Sequence, residues 1–228
     1  MHTLPPHVWH IRRYGAEYIG TFVLVAVGVG SSMIAAKTNA FGITGIAFAF
    51  GLVVAVLIVA IGKISGAHIN PAITLAMWSQ RHFPARDVLP YMIAQCAGAI
   101  TGSAILLRLF GPMGTVGATL PLVGVANTAV IEGVYSAVLA YVVFYVSTDL
   151  RVHRKYVPLI IGLTVFVGAR MTGPITGGSF NPARSLGPAV VNNIWDHHWI
   201  YWLAPIVGMW MGAMAHARVR KFSHRTTK

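Results

Sequence analysis

Asparagine stands before proline and alanine twice in this chain, at Asn70-Pro71-Ala72 and at Asn181-Pro182-Ala183, both times inside apolar sequence. The surrounding phrases nearly repeat, as ISGAHINPAITL from Ile64 and ITGGSFNPARSL from Ile175. Proline breaks a helix interior and asparagine is costly in hydrocarbon, so neither suits an ordinary spanning segment. Together they suit the start of a helix. Proline at the first helical position loses nothing, because its missing N–H would be unpaired there anyway. Asparagine just before it is a good N-cap. The caps' spare side-chain N–H groups can then donate to a passing lone pair, and each helix directs a positive dipole end the same way. Two such starts meeting near a membrane midplane favour a neutral guest and repel cations and protons. A water accepting from both asparagines cannot accept from its neighbour, so a proton-conducting water wire is interrupted.

Other polar groups stand where apolar sequence should not carry them. Glu17 and Glu132 are the only acids well inside apolar runs, and a carboxylate so placed can mark a proton relay. Their matched positions, each early in the first run of its half, speak for a different role. Arg184 follows the second motif directly, and an arginine in a short apolar helix must face water or a partner. His68, with Ser179 as its counterpart, suits ordering of a loop better than metal binding. Cys96 is alone, and the ten histidines are scattered without zinc-like spacing. No nucleophile–base pair, phosphate-cradling glycine loop or carboxylate dyad is present. The sequence therefore predicts no enzyme, no cofactor and no metal.

The elements that carry these residues follow from composition. Of 228 residues, 56% are hydrophobic and 10% charged, where a soluble domain has about 25% charged. Six charge-poor runs have the length a bilayer core demands: Tyr14–Ala36, Ile43–Lys63, Val88–Leu109, Asn127–Ser147, Tyr156–Arg170 and Trp199–Ala217. Two shorter pieces, 71–79 and 182–191, cannot cross alone. The two motif asparagines recur at nearly the same offset as GAITG (Gly98–Gly102) and GMWMG (Gly208–Gly212), and as the two glutamates. The glycine pairs read as small-xxx-small helix contacts. Each half holds three runs, an odd number, so the second copy begins on the opposite face and the repeat is inverted. The predicted fold is an all-α membrane protein of six transmembrane helices and two re-entrant half-helices. It forms one domain over 1–228: repeat one 14–109, a connecting loop 110–126, repeat two 127–217 and a basic tail 218–228.

Seventeen basic residues against five acidic ones would suit nucleic acid, but no aromatic-interleaved basic face exists. Basic residues gather instead at run ends: Arg12 and Arg13, Arg81 and Arg86, Arg151 with Arg154 and Lys155, and the tail with Arg218, Arg220, Lys221, Arg225 and Lys228. Lys37 and Arg108 alone fall on the other side. This positive-inside pattern puts both termini in the cytoplasm, with the cell membrane as the expected location and no nucleic-acid partner. Pro5, Pro6 and His7 do not make a cleavable leader, so the first span is expected to stay.

Two Asn-Pro-Ala motifs in six spans, the second extended by Arg184, resemble the aquaporin (major intrinsic protein) family over about residues 14–217. The resemblance implies a homotetramer with one pore per subunit, passing water and small neutral solutes across the lipid bilayer. It implies that Glu17 and Glu132 support the re-entrant loops, alongside the loop-ordering role read for His68. It also implies a narrow filter of Phe50, Ala169, Gly178 and Arg184, twenty before Asn70, twelve and three before Asn181, and directly after the second motif. Water-selective members commonly carry histidine where this chain has Ala169, and glycerol-conducting ones commonly pair two aromatics. The set resembles nodulin-26-like members, as does GGSFNPARSLGPA. Ser185, Ala189 and Tyr201-Trp202 resemble the water type instead. The expected function is a passive water channel with a wide filter, permeable also to small uncharged solutes. Alternatives are a glycerol or metalloid-acid facilitator, and a proton-coupled transporter using Glu17 or Glu132. Arg170 either reaches headgroups or adds a positive group to the outer vestibule, and Lys63 replaces a histidine common at the inner mouth.

Overall fold

A computed structural model describes residues 6–112, 115, 117–148 and 152–226, with the backbone alone for 6–9 and 222–226. Arg151 and Lys228 lie outside the described residues, as does the side chain of Arg225. Six long helices appear in chain order with two short ones: α1 Pro6–Thr38, α2 Gly42–Ser65, α3 Pro71–Ser79, α4 Ala85–Phe110, α5 Val125–Thr148, α6 Val157–Thr176, α7 Pro182–Asn192 and α8 Ile200–Thr226. Among the described residues, α1, α2, α4, α5 and α6 are long and apolar enough to cross a membrane. With 27 residues α8 has the length, but Trp202, Trp210, Pro205 and His216 lower its hydropathy. The short α3 and α7, nine and eleven residues, reach about half the bilayer core.

Helix ends depart from the sequence expectation at three places. α1 starts at Pro6, α6 continues from Arg170 to Thr176, and α8 runs past Ala217 to Thr226. In each case the apolar stretch ends while the helix goes on. Arg170 is exposed and its Nε donates to Thr44 Oγ1 at 3.0 Å, so the guanidinium is satisfied without breaking the helix.

Close helix crossings are made by glycine. α1 packs on α4 and α5 on α8, the equivalent pairs of the two halves, while α2 packs on α6 between them. A Cβ on Gly98 would overlap the Tyr18 carbonyl, and one on Gly208 or Gly212 the carbonyls of Gly133 or Ala137. Across the α2–α6 seam the exclusion is mutual: a Cβ on Gly51 would lie 2.6 Å from Gly162 O, and one on Gly162 2.5 Å from Gly51 O. The short helices are exchanged. α3 lies against α8 and α7 against α4, each on the last helix of the other half. Gly212→Ala is expected to force α5 and α8 apart, at about 1–3 kcal/mol for overpacking. A lower midpoint for loss of the monodisperse peak after heating in detergent would check this.

At the start of α4, Asp87 is 1% exposed and ties that helix to α1. It accepts from Arg13 Nη1 at 2.7 Å and from the Tyr14 hydroxyl at 2.8 Å. The Arg13 guanidinium also lies over the rings of Phe83 and Tyr91, 5.4 and 5.2 Å from their centroids.

Candidate pore

α2 and α6 both stop at a glycine with left-handed backbone, Gly66 at φ 92° and Gly177 at φ 86°. Their N–H groups donate to Gly62 O at 3.0 Å and Gly173 O at 3.1 Å, closing the last turn. The loops that follow are left-handed at matching places, Ala67 and Ile69 in the first (φ 50° and 43°), Gly178 and Phe180 in the second (φ 55° and 49°). For residues other than glycine that region costs about 1–2 kcal/mol each, so the loops need outside support.

Two buried carboxylates provide it. Glu17 accepts from His68 N at 3.0 Å and Ile69 N at 2.6 Å, and from Gln95 Nε2 at 2.7 Å. Glu132 accepts from Ser179 N at 3.0 Å, Phe180 N at 2.9 Å and the Thr176 hydroxyl at 2.7 Å. A trans peptide points its C=O opposite its N–H. With these N–H groups bound to glutamate, the carbonyls of Ala67, His68, Gly178 and Ser179 face away from the carboxylates, and all four residues line the central cavity. Two buried tyrosines secure the preceding helix ends in the same paired way: Tyr91 donates to Ser65 O at 2.8 Å and Tyr201 to Thr176 O at 2.9 Å. The His68 ring is held by Thr74 Oγ1 at 3.1 Å and by the rings of Phe83 and Tyr91.

Both motifs start their helices by capping. Asn70 Oδ1 accepts from Ala72 N at 2.9 Å, and Asn181 Oδ1 from Ala183 N at 3.1 Å and Arg184 N at 3.3 Å. Pro71 and Pro182 occupy the first turn. The amide nitrogens do more than the sequence suggested. Asn70 Nδ2 donates to Phe180 O at 2.7 Å, and Asn181 Nδ2 to Ile69 O at 2.8 Å, so each cap is bonded to the opposite loop. One N–H per amide is thereby committed, and one remains for a guest.

Asn70 and Asn181 line one cavity together with Phe50, Ala169, Gly178, Arg184 and His68. Its other wall is apolar, with Leu24, Val54, Leu139, Val143 and Val165. Arg184 is 5% exposed; its Nη1 donates to Gly117 O at 2.7 Å and its Cζ lies 5.1 Å from the Phe50 ring centroid. The Arg184 Nε is buried without a partner among the described residues. Arg170 and Lys63 do not line the cavity and are both exposed. The connecting loop reaches into the site: besides Gly117, the buried Thr119 hydroxyl donates to Ser185 Oγ at 2.9 Å. Sequence reasoning missed Gln95, Thr176, Gly117 and Thr119. It also missed the tyrosine pair, whose spacing repeats that of the glycine motifs.

The description "Major intrinsic protein" belongs to a family model that matches residues 6–216. The chain belongs to the major intrinsic protein family. Aquaporin NIP6-1 of Arabidopsis thaliana is similar to it, 36% identical over 217 residues, covering 95% of this chain and 71% of that protein. The probable aquaporin AqpM of Archaeoglobus fulgidus is 39% identical over 226 residues, 86% of this chain and 92% of that one. Among solved structures, the aquaglyceroporin from Plasmodium falciparum superposes with a TM-score of 0.83 at 23% identity, over 90% of this chain and 94% of its own. That likeness is one of fold. With the major intrinsic protein fold go its multi-pass membrane integration, its inverted repeat and its pair of re-entrant half-helices.

Proposed function

We propose that this major intrinsic protein is a passive channel for water that also admits small uncharged solutes and excludes ions and protons, and that it catalyses no reaction. One observation carries the reading. Two amide caps from opposed half-helices stand in one cavity, each with a free N–H, against a wall without charge. A neutral guest exchanges hydrogen bonds with the amides and the loop carbonyls as it passes. A cation meets two positive helix ends and then Arg184.

The filter is read as Phe50, Ala169, Gly178 and Arg184. Methyl and hydrogen on two of its sides leave room beyond that needed by water, which favours small polyols, urea or metalloid acids as additional guests. Exposed apolar side chains such as Leu52, Val56 and Val59 on α2 and Leu159 and Leu163 on α6 suit lipid or neighbouring subunits, in keeping with a homotetramer. The basic termini suit a cytoplasmic placement in the cell membrane.

Stopped-flow light scattering on proteoliposomes tests both parts. Rapid shrinkage above the lipid background is expected for water, followed by reswelling in glycerol or urea. Ala169→His is expected to suppress reswelling while leaving most of the water flux. Solute flux at background in the wild type refutes the permissive filter. Saturable flux that follows a pH gradient would establish the proton-coupled transporter instead.

A further inference from the structure

We infer that Gly28 on α1 sets the aperture of the pore by letting the Phe50 ring lie back against that helix, which deepens, and rests on, the reading of Phe50 as part of the constriction. Gly28 is buried, and a Cβ built there would stand 2.6 Å from Phe50 Cζ and nearer still to Cε1 and Cδ1. Real Cβ atoms essentially never come within 3.0 Å of a non-bonded heavy atom from elsewhere in the fold, so one side must move.

The helix is the side that cannot. The Ser31 and Ser32 hydroxyls both donate to Gly28 O, at 2.7 and 3.3 Å, fixing the backbone at this turn. On the α4 side, Leu106 would lie 3.1 Å from a Cβ on Gly30, and the Gly98 and Gly102 crossings already bring α1 and α4 to backbone contact. The ring has open space beside it, because Phe50 lines the cavity with Arg184 beyond. A methyl at position 28 therefore drives the ring edge inward, toward Arg184. Gly28 touches no guest. It acts through Phe50 as a positioning residue, and a larger residue there would tighten the pore without altering any residue that lines it.

Four proteins in proteoliposomes test this: wild type, Gly28→Ala, Phe50→Val and the double variant, with shrinkage reporting water and reswelling reporting glycerol. Gly28→Ala is expected to lower the glycerol-to-water permeability ratio about tenfold, the scale of one badly placed methyl. In the Phe50→Val background the same change is expected to have no such effect. Per-channel water permeability gives a second readout, falling in Gly28→Ala and recovering in the double variant. An unchanged ratio and water permeability in Gly28→Ala, or an equal loss with and without the ring, overturns the inference. If Gly28→Ala fails to fold, the double variant must regain the thermal stability of Phe50→Val, and failure to do so also overturns it. Unaltered selectivity in Phe50→Val alone refutes the constriction reading itself, an outcome distinct from the others.

Discussion

Replacing Glu132 with leucine is expected to abolish permeation and to destabilise the fold by about 2–6 kcal/mol, since two buried backbone N–H groups lose their acceptor at about 1–3 kcal/mol each. Those groups belong to Ser179 and Phe180, in a loop that is left-handed at Gly178 and Phe180. Without the carboxylate the loop keeps only lesser supports such as the Asn70 bond to Phe180 O, and the carbonyls that line the cavity are freer to turn. Glu17→Leu should behave alike, because His68 N, Ile69 N and Gln95 Nε2 depend on it in the same manner. Glutamine is the informative control. It keeps one acceptor oxygen but turns an NH₂ toward a donor, so stability and water flux should fall between leucine and wild type. Thermal unfolding in detergent and shrinkage rates per reconstituted channel check the order. A proton relay would behave differently: Glu132→Gln would fold normally and lose only flux driven by a pH gradient.

Asn181→Ser should separate the two tasks of the motif asparagine. Serine is about as good an N-cap as asparagine, so the amides of Ala183 and Arg184 keep an acceptor. Its hydroxyl is too short to replace the Nδ2 donor, and Ile69 O, in a residue 4% exposed, loses its 2.8 Å bond. Leaving that carbonyl unpaired costs about 1–3 kcal/mol. The larger effect falls on the guest. With one amide gone, a water at the crossing is no longer held by two donors and can accept from its neighbour. Vesicles carrying Asn181→Ser are expected to leak protons above the wild type, read with an entrapped pH-sensitive dye under a potassium diffusion potential. Asn70→Ser is expected to do the same from the other side, and it loses the bond to Phe180 O as well. Tight vesicles in both variants would place the proton barrier elsewhere, at Arg184.

The sequence carried whatever is local and doubled. Asn-Pro-Ala is a helix start written in adjacent residues, and its recurrence disclosed the inverted halves before any coordinate. Span existence followed from charge-poor length. Helix ends did not, because Arg170 ends an apolar run while α6 continues to the glycine at 177. What stayed hidden are contacts between distant segments. Asn70 bonds a carbonyl 110 residues away, and Arg184 finds Gly117 across 67. Gln95 and Thr119 belong to the same class: ordinary residues on their own elements, made important by what folding brings beside them. Gly28 belongs with them, since the glycine is visible in the sequence but the Phe50 ring beside it is not.

The exchange of short helices bears on how the molecule works. Carriers that alternate access let one bundle swing against the other about a bound passenger. Here α3 is lodged on the far bundle and α7 on the near one, and the two caps are bonded across the divide. Swinging would tear both seams and both amide links at once. That bracing suits a fixed bore rather than a carrier that alternates access.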